Sequence, residues 1–168
     1  MSEGLLDKEE LVRYIICKFK ETQSKEISPI KLQKSLYFLF AMWGGKVLGV
    51  KNDEEDYGFY SEFNPYLFNA NFQAWKFGPV DRSVWEKYRD GEYDLNDCNT
   101  PTLDFHTKNQ FEKTTASEYI DGLLQRIFNT SDFGLVDLSH EDNCWKRAYN
   151  SVNKIINSKD IIEEYASR

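Results

Sequence analysis

The stretch Phe68–Arg89, FNANFQAWKFGPVDRSVWEKYR, constrains this chain most, because it asks for several backbone geometries in quick succession. Phe68, Ala70, Phe72 and Ala74 alternate with Asn69, Asn71 and Gln73, the period-two pattern of a half-buried strand. Trp75 and Phe77 break the alternation, and Gly78-Pro79 is expected to stop the strand in a tight turn. Proline cannot donate to a sheet ladder, and glycine adopts backbone conformations that a side chain obstructs. Asp81 then reads as the N-cap of a short helix with Val84, Trp85 and Tyr88 on its inner face. Trp75 and Trp85 are expected to lie buried against the helix that contains Leu36 and Phe40. The simplest role for this corner is scaffolding. Lys76, Phe77, Gly78, Pro79, Asp81 and Arg82 would also make an aromatic surface with a charged rim, held rigid enough to bind a partner.

The remaining segments are mostly helical. Asp7, with Glu10 three residues on, caps a helix over Lys8–Gln23 whose core stripe is Leu11, Val12, Ile15, Ile16 and Phe19. Ser28-Pro29 starts a second helix, with Leu32, Leu36, Leu39, Phe40 and Trp43 inside and Gly44-Gly45 as its expected end. Its polar residues Lys31, Gln33 and Lys34 read as a solvated face, which is also a second place for a partner. From Lys46 to Pro65 the pattern weakens: Val47, Leu48 and Val50 suggest an extended piece, and Asp53–Asp56 an acidic loop. Thr107 and Gln110 open a helix reaching to about Asn129, with Gly134 marking its end. Ser139-x-x-Asp142 resembles a capping box ahead of Cys144, Trp145, Ala148, Tyr149 and Val152, and Ser158 caps a last helix with Ile161, Ile162 and Tyr165. The expected fold is therefore mainly α, about five or six helices, with a small antiparallel β element in a single compact domain spanning residues 1–168.

Composition narrows the function classes. A net charge of −7 opposes general nucleic-acid binding, which needs a cationic face. An aromatic content of 15% favours a well-filled core, a protein-binding face, or both. No apolar run is long enough to span a membrane, and MSEGLLDKEE lacks the pattern of a signal peptide, so a cytoplasmic location is expected. Cys17, Cys98 and Cys144 read as reduced thiols, without a disulfide or zinc framework.

Catalytic signals are sparse. His140 and Cys144, four apart on one expected helix, are the best candidates for a metal or thiol site, but no third ligand or orienting base accompanies them. No glycine-rich phosphate loop and no nucleophile elbow is present. The residues call for no enzyme, no metal and no cofactor.

Three blocks carry a family resemblance. Gln73–Val80, QAWKFGPV, resembles the "(E/Q)AW-(aromatic)-GPV" signature of the Panacea domain family of SocA-like antitoxins, many first described as phage-associated proteins. Ile30–Phe38 is similar to the family's "KLQKLLYF" helix, with Leu32, Gln33, Lys34 and Tyr37 in place and Ser35 where the family usually has Leu. Leu138-Ser139-His140 with Trp145 resembles its "LSH…W" block, and Ala74, Trp75, Gly78, Pro79 and Val80 complete the motif positions. The resemblance implies an antitoxin that neutralises a cognate toxin, by direct binding or as an adaptor delivering it to a cellular protease. The alternatives are a phage or mobile-element protein-binding module with no toxin, and an uncharacterised enzyme using His140 and Cys144.

Overall fold

The computed structural model describes residues 4–51, 57–60 and 62–168; the acidic run 53–56 lies outside them. Among the described residues are seven helices, one single helical turn and a two-stranded antiparallel sheet, so the molecule is mainly α with a small β element. None of the described helices is long and apolar enough to cross a membrane.

Helix α1 (Lys8–Gln23) is capped as its sequence predicts: the Asp7 carboxylate accepts from the Glu10 N–H at 3.1 Å. Helix α2 (Pro29–Lys51) also starts where expected, with Ser28 Oγ accepting from the Lys31 N–H at 3.0 Å. It is the axis of the fold. Leu32, Leu36, Tyr37, Leu39, Phe40, Trp43 and Val47 are buried along it. Gly44-Gly45 does not end this helix, and Val47–Val50 continues it instead of forming an extended piece. The reason is the last helix, α8 (Ser158–Ala166), which lies directly on the glycines. A Cβ on Gly44 would stand 2.6 Å from Ile162 Cγ1, and one on Gly45 would stand 2.5 Å from Tyr165 Cβ. The glycines admit a neighbouring helix, and the packing gained outweighs their weak helix propensity.

A single turn, α3 (Tyr57–Tyr60), precedes the hairpin. Strand β1 (Phe72–Trp75) starts four residues later than the alternation suggests, and Gly78-Pro79 is not the turn. The turn is Lys76-Phe77, and β2 (Gly78–Asp81) returns antiparallel in the register Trp75↔Gly78, Ala74↔Pro79, Gln73↔Val80 and Phe72↔Asp81. Gly78, at φ 103°, makes the left-handed step out of the turn. Pro79 is tolerated because antiparallel pairs alternate between bonded and non-bonded. Asp81 turns its N–H away from β1, toward Gln33, so Pro79 two residues earlier sits where no ladder donor is required.

Helix α4 (Arg82–Arg89) has Asp81 as its N-cap, accepting from the Val84 N–H at 3.2 Å. Helix α5 (Gln110–Phe128) is capped by Asn109, not Thr107. Gly134 is no terminator: it lies in α6 (Asp132–His140), where Ser131 Oγ accepts its N–H at 3.0 Å. Ser139 and His140 therefore belong to the last turn of α6 and do not begin the following helix, α7 (Asn143–Tyr149).

Asp142 stands at the N-cap of α7 but makes no side-chain cap bond. Its buried carboxylate accepts from Tyr37 at 2.5 Å, Tyr165 at 2.7 Å and Arg168 at 2.8 Å, joining α2 to α8. The cap is supplied from α8, where Glu164 accepts from the N–H groups of Asn143 and Cys144, both at 2.8 Å. Burial raises the Tyr37 phenol well above its ordinary range, so it stays a donor to Asp142.

Candidate functional site

The three motif blocks meet at the β1–β2 hairpin. On its β2 edge, Gln33 imitates a neighbouring strand: Oε1 accepts the Asp81 N–H at 2.8 Å and Nε2 donates to the Asp81 carbonyl at 3.1 Å. Lys34 Nζ donates to the Pro79 carbonyl at 3.0 Å. On the β1 edge, the Ala74 N–H donates to the Lys154 carbonyl at 2.7 Å, and the Phe72 carbonyl accepts from the Ile156 N–H at 2.9 Å. Both edges of a sheet too small to stand alone are thereby covered.

The third block fastens the turn. Trp145 Nε1 donates to the Trp75 carbonyl at 3.0 Å, and His140 Nε2 lies 2.9 Å from the Lys76 carbonyl. A carbonyl only accepts, so this nitrogen carries the ring proton. The His140 ring stacks on Trp145 with centroids 4.3 Å apart. Ser139 is buried, and its Oγ would stand 2.3 Å from a Cβ on Gly78, so no side chain fits at that glycine.

The expectation of a solvated face at Lys31, Gln33 and Lys34 is overturned: all three are buried. Lys31 donates to the Ile127, Phe128 and Thr130 carbonyls at the end of α5 and pairs with Asp132 at 3.5 Å. Leu32 and Tyr37 are core residues. Of the corner residues, Gly78, Pro79, Val80 and Asp81 are buried, and Asp81 pairs with Lys8 at 2.9 Å. Lys76, Phe77 and Arg82 are exposed. Trp75 and Trp85 are only half-buried and meet each other edge-on at 5.1 Å; they lie beside Pro29 and Ile30, at the start of α2.

An exposed aromatic pair is the feature that sequence reasoning missed. Phe77 at the turn is 46% exposed and Phe133 on α6 is 59% exposed, with ring centroids 5.9 Å apart. Leu138, a motif residue, is 50% exposed on the same helix. Phe133 gave no signal in the sequence because α6 itself was not expected. Beside the pair, a groove of about 220 Å³ runs between the start of α2 and the hairpin, with Lys34 in its wall.

His140 and Cys144 sit on different helices. Cys144 is buried, with its Sγ 3.6 Å from the Tyr37 hydroxyl, and burial pushes its thiol up to about 12, far from a reactive thiolate. Among the described residues no group of three or more His, Cys, Asp and Glu has a metal-holding arrangement.

A family model described as "Antitoxin SocA-like, Panacea domain" matches residues 55–146, more than half of the chain. The match includes the QAWKFGPV and LSH…W blocks, while Ile30–Phe38 precedes it. No curated protein and no solved structure matches the chain.

Proposed function

Because the chain belongs to the SocA-like antitoxin, Panacea-domain family, we propose that it neutralises one cognate toxin by binding it directly through the hairpin tip. The observation that carries this reading is the exposed Phe77–Phe133 pair, with Phe77 on a turn fastened from both sides and Phe133 on α6. Aromatic side chains with few rotatable bonds are effective interface anchors, and a pre-ordered turn loses little freedom on binding. Lys76 and Arg82 supply a charged rim. Family membership favours a non-enzymatic role, and buried Cys144 and hydrogen-bonded His140 agree with it.

The test is co-expression with the open reading frame beside the gene, scored as rescue of growth. Phe77→Ser with Phe133→Ser, and separately Lys76→Glu with Arg82→Glu, should fold normally, since exposed substitutions usually change stability by within about 0.5 kcal/mol. At least one pair should abolish rescue and complex formation. Full rescue by both would move the interface off the hairpin tip. Rescue that requires a particular cellular protease would replace sequestration by delivery to that protease.

A further inference from the structure

We propose that the groove beside the hairpin receives one acidic side chain of the partner protein, an aspartate or glutamate carboxylate that pairs with Lys34 between the walls of Trp75 and Trp85. This rests on the protein-binding reading above and names the chemistry of one contact within it. The groove holds about 220 Å³ and is bounded chiefly by Ile30, Lys34, Trp75, Lys76, Phe77 and Trp85. Small-molecule sites usually occupy about 300–1,000 Å³. This one has the scale of a side chain, and through Phe77 it is continuous with the exposed aromatic pair.

Charge identifies the occupant. In a chain of net charge −7, the charged side chains lining this groove among the described residues are Lys34 and Lys76, with no carboxylate among them. Lys34 is 1% exposed, and its Nζ has one acceptor, the Pro79 carbonyl at 3.0 Å. An ammonium has three donors, so the rest of its hydrogen-bonding capacity is not met by the described residues. Lys8 and Lys31, by contrast, each have a carboxylate partner, Asp81 and Asp132.

The titratable groups on the surrounding elements are otherwise engaged or cationic. Asp81 is held by Lys8 and Ser83, Lys31 faces the end of α5, His140 donates to the Lys76 carbonyl, Arg82 pairs with Glu86, and Lys76 is itself a cation. Burial without an anion lowers the Lys34 amine from 10.5 to about 7. An entering carboxylate stabilises the ammonium, so binding takes up a proton from solution at neutral pH.

Phenylacetate is the probe: it carries a carboxylate on a single aromatic group, and Trp75 and Trp85 report its arrival by fluorescence. At pH 7 it should quench saturably, while 2-phenylethanol should not. Binding should weaken roughly tenfold by pH 8.5, as the protonated fraction of Lys34 falls. Calorimetry in two buffers of different ionisation enthalpy should show proton uptake. Lys34→Met, close in shape and uncharged, should lose at least tenfold in phenylacetate affinity and lose the proton uptake, and Lys34→Arg should recover carboxylate binding without the pH dependence. An equal response to 2-phenylethanol, or an unchanged response in Lys34→Met, would overturn the proposal. Growth rescue is scored separately. Failure of the unmodified protein to rescue growth or bind the adjacent gene product, with phenylacetate binding intact, would sink the antitoxin reading and leave the carboxylate site standing.

Discussion

Lys34 shows how a single residue can mislead a reading made from sequence and then inform the structure. A lysine on a helix with a polar neighbour on each side reads as solvated, because most lysines are. Here the Pro79 carbonyl, an acceptor that no strand covers, draws its amine inside. The direction of its pH effect follows from linkage. The folded amine titrates near pH 7 and the unfolded one near 10.5, so between those values the unfolded chain binds the extra proton and stability rises with pH. Below about pH 7 both states are protonated, and the full cost of the buried charge is present. Lys34→Met should therefore flatten the pH dependence above pH 7 and stabilise the protein at pH 6 by about 2–4 kcal/mol. That figure sets the removed charge, at about 1.4 kcal/mol for each pH unit, against about 1–3 kcal/mol for leaving the Pro79 carbonyl without a donor. Urea midpoints of both proteins at pH 6, 7.5 and 9 check it; parallel curves would show that Lys34 does not titrate there.

At the scale of elements, the legible features were those written locally. Helix α1 was predictable to both ends, because Asp7 and the apolar stripe lie within its own sequence. The Asp81 cap and the start of α2 were legible for the same reason. Most of the features missed depend on partners distant in the chain. Gly44-Gly45 looks like a stop unless α8 is known to cross there, whereas Gly134 hid α6 for a local reason, since it lies in the first turn of that helix with its cap Ser131 three residues away. Pro79 reads as a breaker until the register shows that its missing N–H lies on the unbonded side. Gly45 and Gly122 make a paired test of this account, since both lie inside helices. A Cβ at Gly122 meets nothing within 4 Å, so Gly122→Ala should stabilise by roughly 1 kcal/mol through helix propensity. At Gly45 the same methyl would stand 2.8 Å from the Tyr165 backbone carbon, and α8 must shift to admit it. Gly45→Ala should destabilise by about 1–3 kcal/mol, read as a lower thermal midpoint. Stabilisation by both substitutions would mean that α8 does not bear on the glycines.

For the whole molecule, the three motif blocks identified the right segments, but their shared purpose became visible only in three dimensions. Gln33 and Lys34 line one edge of the hairpin, His140 and Trp145 hold its turn, and the segment around Ile155 covers the other edge. The motif residues hold a turn at which Lys76 and Phe77 are exposed, and the surface there is mixed: two aromatic rings, a cationic rim and a lysine-lined groove on an otherwise acidic chain. Such a surface suits a protein and not a polyanion. Duplex DNA is bound by neutralising several phosphates along a cationic track, and each contact steepens the salt dependence. Lys76 and Arg82 are the exposed cations of the corner, and Arg82 already pairs with Glu86 at 2.9 Å. The net charge of −7 adds long-range repulsion. Fluorescence anisotropy with a random duplex at physiological salt should accordingly give no binding tighter than about 100 μM, the weak end of non-specific affinities. Micromolar binding with a steep salt slope, abolished by Lys76→Glu, would assign the hairpin tip to nucleic acid and remove the case for a protein partner there.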